Sequence, residues 1–471
     1  MFRVLGVQSI ERRTERQERK HPLVPHSSPT LDFPLLAGKP VQVDFSGGQL
    51  SSDGGLVLLA QLDRQLGLTK RVAACIRDER LASRVQHSLL DLIRQRVYQI
   101  AAGYEDCNDA DHLRADPALK VALGRSPTRE PDLASQPTLS RLEQTVAEPE
   151  CDQINGVLLE HFLACPRQAP REVVLDFDPS EDPTHGQQEF AFFNGHYGSY
   201  CYLPLFVFAR VPGESEEYLV SAELPDTHCK DTEAILATLS RLVAAIRARW
   251  PRVKVVFRAD AWFATPDIYD WCEAHRVAYA IAIGSNAVLH ALSGPWRQTA
   301  QVTAANSPRG TARRFGEFLY QAGGWPYPRR VVVKAEVTAK GPNVRYVVIS
   351  ELDGEPRLLY HFYGRRGSCE NRIKELKDGI HSDRTSCCEF ASNKVRLMLY
   401  AVAYVLLQRL RRLARGTGVS HAQVQTLRLG LVKIAALVKE SGRRVHVALA
   451  SACPTQTLFR LLARRLGVAT G

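Results

Sequence analysis

A chain of 471 residues with 45% apolar and 24% charged residues has the composition of a globular protein of two or three domains, which excludes a disordered or fibrous one. The longest uninterrupted apolar run, Leu397–Leu407, has eleven residues, about half of what a bilayer-spanning helix needs. The basic stretch from Arg12 to Lys20 has no apolar segment behind it, so neither a membrane span nor a signal peptide is expected, and a cytoplasmic location is. Net charge is +11, but residues 361–471 hold 20 Lys/Arg and 6 Asp/Glu, a net of +14, which leaves the other 360 residues at −3. A basic block on a near-neutral body suits a polyanion, nucleic acid being the commonest, or else a solvated helical face. Eleven cysteines are scattered without a C-x-x-C pair, which predicts reduced thiols and no zinc site.

Residues 1–38, with prolines, serines and mixed charge, read as a poorly ordered leader. From Val41 to about Cys165 the pattern is helical. Leu56–Leu66 and Ala82–Ala102 carry apolar residues at three- and four-residue spacings, and Thr138–Glu143 opens another helix. The acidic loop Gly103–Asp111 lacks the glycine and closing glutamate of an EF-hand loop, so a solvated loop or helix cap is expected there. At Glu172 the period changes. Val173–Asp178, Tyr202–Arg210 and Glu217–Glu223 read as strands, Thr232–Arg249 as an amphipathic helix, Val253–Phe257 as a buried strand, Pro266–His275 as a helix and Val277–Ile283 as a strand. That succession describes an α/β core on a mixed sheet. Trp296–Ala300, Phe315–Gln321, Arg330–Thr338 and Val344–Ile349 read as a small β-rich insertion. Helices are expected over Ser368–Gly379, Ala391–Ala414 and His421–Leu437.

Three acids stand out by position. Asp176 and Asp178, two apart on one strand, point to the same face, and Asp260 ends a second strand of that sheet. Ligands bind at strand ends of α/β sheets, although each acid alone can equally cap the turn that follows it. Further on, Tyr363 and Arg366 lead into a helix on which Glu370, Lys374 and Lys377 follow at i, i+4, i+7 and share a face. An ordinary Glu–Lys surface pair accounts for that spacing. So does a site that holds a metal and a phosphate together. Three carboxylates can bind two Mg²⁺ about 3.5–4 Å apart across an in-line phosphoryl displacement, and Mg²⁺ takes oxygen ligands rather than a His or Cys cage.

The spacing Tyr363-x2-Arg366-x3-Glu370-x6-Lys377 resembles the Tyr-Arg-Glu-Lys signature of DDE insertion-sequence transposases. Five further blocks, in order, resemble the insertion sequence 1380 family: Ser51–Leu56, Arg96–Asp106, Leu133–Glu143, Asp182–Gln188 and Asn393-x2-Arg396-Leu397. The resemblance spans about residues 40 to 415. It implies a ribonuclease H-like catalytic core with a β-rich insertion, flanked by N-terminal and C-terminal helical regions. The corresponding segments are a leader (1–38), a helical DNA-binding region (39–168), the first part of the core (169–284), the insertion (285–352), the second part with the glutamate helix (353–415) and a basic helical region (416–471). The implied catalytic metal ligands are Asp178, Asp260 and Glu370. Asp176 is the alternative first aspartate, although Asp178, followed by x-Ser, matches better. Tyr363, Arg366 and Lys377, with Lys374 beside them, are the implied DNA phosphate contacts. Two departures are visible: Ala261-Trp262 replaces a small Ser-Gly pair after the second aspartate, and Pro179 follows the first.

The activity so implied is DNA transposition. Terminal inverted repeats are bound, DNA is cut at the element ends with two Mg²⁺ ions (Mn²⁺ can substitute), and the 3′-OH ends are transferred into target DNA. The implied assembly is a homodimer in a synaptic complex on the bacterial nucleoid. Repeat binding is assigned to the helices of residues 40–165. Arg409, Arg411, Arg412, Arg415, Arg443, Arg444, Arg464 and Arg465 are candidates for tracking phosphates without sequence preference, or for a dimer's solvated face. His185 and His196 read as structural. Two other readings compete. A glycosidase also uses two carboxylates but leaves the lysines, the arginine and the basic C-terminus unexplained. A catalytically inactive, domesticated DNA-binding regulator is the other, and the presence of all three acids argues against it.

Overall fold

The computed structural model describes residues 30–36, 39–226 and 232–469, in two compact units divided after Leu50. In the first unit Leu31–Leu36 pairs antiparallel with Lys39–Val43. The rest of the leader expected over 1–38 lies outside the described residues.

The second unit is built on an eight-stranded mixed sheet. Its strands are β1 (Glu172–Pro179), β2 (Leu205–Arg210), β3 (Glu217–Glu223), β4 (Lys254–Ala259), β5 (Ala278–Ile283), β6 (Ala312–Tyr320), β7 (Arg329–Thr338) and β8 (Gly341–Ser350), in the order β6-β7-β8-β5-β4-β1-β2-β3. β1, β4 and β5 are parallel. β2 and β3 fold back antiparallel on one side, and β8, β7 and β6 extend the sheet antiparallel on the other. The parallel strands are nearly continuous apolar runs because both of their faces are covered. Val173, Leu175, Phe177, Val255 and Phe257 meet Leu239, Leu242 and Ile246 of the crossover helix Thr232–Arg249 and Ile268 of Pro266–Ala274. On the opposite face Val174, Val256 and Ala280 meet Leu359 and Tyr360 of the helix Pro356–Gly364.

The helix Phe390–Leu413 passes the length and composition test for a bilayer span, yet 89% of its most apolar stretch is buried. The N-terminal helices Leu56–Leu66, Leu89–Ala102, Gln136–Thr145 and Glu148–Leu163 pack on it. Together they form one core that also takes in Phe206, Phe208 and Leu219 of the sheet. Several short sequence blocks turn out to be the joints of this assembly. Arg96 and Arg396 both donate to Glu143, at 2.8 and 2.7 Å, with Arg96 and Glu143 fully buried. The Gly54 and Gly55 amides donate to the carbonyls of Ile434 and Val432 at 2.8 and 3.1 Å. A Cβ on Gly55 would stand 1.8 Å from the Leu431 carbonyl oxygen, so only glycine allows that approach. Gln188 donates to the carbonyls of Thr385 and Cys387 at 2.5 and 3.0 Å, and Asn393 bonds both backbone groups of Cys387 at 2.9 Å.

Four expectations are corrected. Trp296–Ala300 is not a strand. Pro295 sits in the first turn of a helix, Gly294–Ala305, whose buried Ala300 and Ala304 follow Trp296 at four-residue steps, so the segment 285–352 opens with helices before β6–β8. His421–Leu437 is not one helix. Val424–Leu427 and a wider π-helical turn, Arg428–Val432, lead into the strand Ala436–Glu440, paired with Val445–Leu449, so residues 416–471 are not all helical. The Glu370 helix is α-helical only over Gly367–Lys374 and widens to a π turn over Glu375–Ile380. Finally, the arginines of Phe390–Leu413 do not form a phosphate track. Arg411 is buried on Glu216 and Glu375, both at 2.7 Å, Arg412 pairs with Glu214 at 3.1 Å, and Arg409 donates to the Cys165 sulfur at 3.1 Å. Arg443, Arg444 and Arg464 are exposed. Among the described residues the cysteines are free thiols.

Candidate active site

The parallel register of β1 and β4 sets Asp176 against Arg258. Alternation then brings Asp178 abreast of Asp260 on the same face, one rung further along. The two rungs differ in what they do. Arg258 grips Asp176 with two hydrogen bonds, 2.5 and 2.7 Å, donates a third to the Phe362 carbonyl at 2.6 Å, and leaves both side chains 1% exposed. Asp176 is therefore committed to a buried ion pair and does not reach the cleft. Asp178 opens instead into a cleft of about 750 Å³ lined also by Asp260, Trp262, Arg366, Glu370 and Lys377.

Asp260 caps the turn Ala261–Phe263, accepting from the Trp262 amide at 2.9 Å, so the capping reading holds for it alongside its place in the cleft. Glu370 is exposed on Gly367–Lys374, and its i, i+4 partner is Arg366 rather than Lys374. Arg366 bonds Glu370 at 2.5 Å, while its buried Nη1 lies 3.1 Å from Asp178 without hydrogen-bond alignment. Burial pushes the Asp178 carboxyl up to about 7; Arg366 opposes the shift, and Asp260 and Glu370 add to it. Tyr363 is half-buried beside Arg366, which interacts with its hydroxyl, and burial raises that hydroxyl's pKa. Lys377 donates to the Glu181 carbonyl at 2.7 Å on the cleft wall. The π turn after Lys374 breaks the expected shared face: Lys377 joins Glu370 in the cleft, whereas Lys374 is exposed and does not line it.

In the segment between β1 and β2, Asn194, His196 and Tyr197 complete the cleft wall; sequence reasoning took His196 as structural and passed over Asn194 and Tyr197. The available signal was its density of aromatic residues and glycines. Behind it Asp182 is 1% exposed, accepts from the Thr385 hydroxyl at 2.5 Å and keeps its other oxygen unpartnered. Burial, partly offset by Thr385, pushes its carboxyl up to about 7. A raised folded-state pKa means that the folded protein holds the proton where the unfolded chain has lost it. Stability is thus lost as pH rises from the ordinary carboxylate range near 4 to about 7. Asp182→Asn is expected to flatten that slope, measured as urea midpoints at pH 5 and pH 8; parallel slopes would contradict it.

No curated protein matches the sequence. The cryo-EM structure of a piggyBac transposase synaptic complex with hairpin DNA is similar at a TM-score of 0.41 and 12% identity, over 81% of this chain and 80% of that one. The model of the transposase DDE domain, group 1, matches residues 33–469, nearly the whole length, and the chain belongs to that family.

Proposed function

We propose that this DDE transposase, of the insertion sequence 1380 branch, cuts DNA at the terminal inverted repeats of its element and transfers the 3′-OH ends to target DNA. The observation that carries this reading is the gathering of Asp178, Asp260, Glu370, Arg366 and Lys377 in one open cleft. The order β3-β2-β1-β4-β5, with acids at the ends of two adjacent parallel strands, supports a ribonuclease H-like core.

DDE transposase domains use divalent metal ions. Among the described residues no three His, Cys, Asp or Glu side chains already converge as a metal-binding group, and in the cleft Arg366 lies 3.1 Å from Asp178 and bonds Glu370 at 2.5 Å. The donor set nevertheless fits. It is all oxygen, as Mg²⁺ and Mn²⁺ prefer, and the three carboxylates line one open cleft. Asp178, Asp260 and Glu370 would hold two such ions, which when bound activate the attacking water and stabilise the leaving 3′ oxygen. Arg366, once released from the carboxylates, and Lys377 at the rim offer charge-assisted hydrogen bonds to the phosphates flanking the scissile one. Tyr363 orients Arg366, and Trp262 narrows the cleft beside Asp260. Repeat recognition is assigned to the N-terminal helices, and strand transfer to a homodimer in a synaptic complex on nucleoid DNA.

The test is incubation of the full chain with DNA carrying the element's flanking repeats, in Mg²⁺ or EDTA. Nicking at the repeat end in Mg²⁺ and none in EDTA is expected. Tight repeat binding without cleavage would identify a domesticated regulator instead.

A further inference from the structure

We infer that the outer face of the helix Pro356–Gly364, with the insertion strands beneath it, grips the phosphate backbone of a DNA duplex that enters the cleft, an inference that rests on the DNA-cleaving function proposed above. Residues 285–350 hold nine Lys/Arg and two Asp/Glu, a net of +7. Both acids are already engaged: Glu336 pairs with Arg313 and Lys334 at 3.0 and 2.6 Å, and Glu317 with Arg330 at 2.5 Å. The helix lies over β6 and β7. Its Tyr360 ring packs on Phe315 of β6 at 5.6 Å and has the Lys334 ammonium 5.2 Å from its centre, and register sets Arg345 of β8 beside Lys334. Leu359 and Tyr360 are buried against the sheet, while the face turned to solvent carries Arg357, His361 and Arg365 at four-residue steps, Arg365 continuing the helical turn at its end. These three and Arg345 are exposed. Among the described residues Arg345, Arg357 and Arg365 have no ion-pair partner.

A lone exposed arginine needs no explanation, but here the surplus is concentrated, and two observations name what balances it. First, the insertion has no free acid left to do so. Exposed Glu351, Asp353 and Glu355 stand before the start of the helix, so its cationic end is the other one. Second, that end is the rim of the cleft. Arg365 directly precedes Arg366, which lines the cleft with Asp178 and Asp260, and Tyr363, 6.0 Å from Tyr360, stands beside Arg366. Eight residues of helix rise about 12 Å, along which a duplex presents about seven phosphate charges. Contacts of this kind hold the backbone without reading sequence. They leave repeat recognition with the N-terminal helices, where residues 51–168 hold 14 Lys/Arg against 17 Asp/Glu and offer no such surplus.

The experiment measures binding of the full chain in EDTA, where no cleavage occurs, to a labelled duplex carrying the element's flanking repeats, over a range of salt concentrations. The double variant Arg357→Gln/Arg365→Gln should lower the slope of log affinity against log salt by about 2, at about 0.9 per phosphate contact, and weaken binding about tenfold or more near 0.1 M salt. Adding Arg345→Gln should lower the slope by about one more. Arg357→Lys/Arg365→Lys keeps the charge and should keep the wild-type slope. So should Arg171→Gln/Arg252→Gln, which removes two exposed charges just ahead of β1 and β4, at the strand ends away from the cleft. Because the substituted side chains are exposed, melting temperatures should match the wild type. An unchanged slope in the first pair, an equal loss in the Arg171/Arg252 pair, or a wild-type self-association abolished by the first pair would each overturn the grip, the last by showing an acidic face of a second copy on this helix. Wild-type protein that does not bind the repeat duplex would overturn the transposase reading as well; wild-type protein that binds it, with the first pair's slope unchanged, overturns only the grip.

Discussion

Asp260→Asn and Glu370→Gln are each expected to slow metal-dependent nicking about a thousandfold or more, with little change in melting temperature. In the function proposed above each would remove one anionic oxygen ligand from a reaction in which metal charge stabilisation is worth several kcal/mol, and about 1.4 kcal/mol is a factor of ten in rate. Neither change unsettles the fold. Asparagine at 260 keeps the oxygen that accepts the Trp262 amide, and the Glu370 side chain is 57% exposed with Arg366 as its ion-pair partner. Asp176→Asn provides the contrast. It leaves Arg258 buried against a neutral partner, and breaking a buried ion pair typically costs about 3–5 kcal/mol, so its first effect is on unfolding. Nicking assays paired with thermal melts separate the cases. Near-wild-type nicking by Glu370→Gln would remove the glutamate from the catalytic set, and a stable Asp176→Asn that does not nick would return Asp176 to it.

Glu143→Gln is expected to destabilise the protein by about 3–5 kcal/mol, a large part of the roughly 5–15 kcal/mol that a domain has to lose. Burial alone would raise the Glu143 carboxyl, but Arg96 and Arg396 outweigh it and hold the carboxyl below its usual range. The substitution leaves two guanidiniums facing a neutral amide, with Arg96 fully buried. The lowered pKa also gives a direction. The stabilisation from this carboxylate is complete above the ordinary glutamate range and is lost as pH falls through the lower folded value. Urea unfolding at neutral pH tests the cost, and a loss below about 1 kcal/mol would mean that the three residues do not hold the helices together.

What was legible in the sequence was periodic. Glu217–Glu223 and Thr232–Arg249 coincide with their observed elements, since a period of two and a period of 3.6 announce themselves locally. The acids at 178 and 260 were legible for the same reason, being polar residues at the ends of apolar runs. Asp176 was indistinguishable from Asp178 by alternation; only the register that places Arg258 opposite it tells them apart. Trp296 was read as strand because aromatic residues favour strands, while the helical repeat it begins with Ala300 and Ala304 is carried by small residues. The link from Glu143 to Arg396 spans 253 positions, and no local spacing encodes it.

The bonds from Gly54 and Gly55 to Ile434 and Val432 bear on how the molecule is made. The first helices of the second unit emerge from the ribosome more than three hundred residues ahead of Phe390–Leu413, the helix they enclose, and of the segment that clasps Gly55. Until those later segments have been made their apolar faces have no native cover, a situation of high contact order in which folding is slow and chaperones matter. A chain cut short before Phe390 would thus lack the helix that its first helices enclose, and those helices are not expected to fold alone.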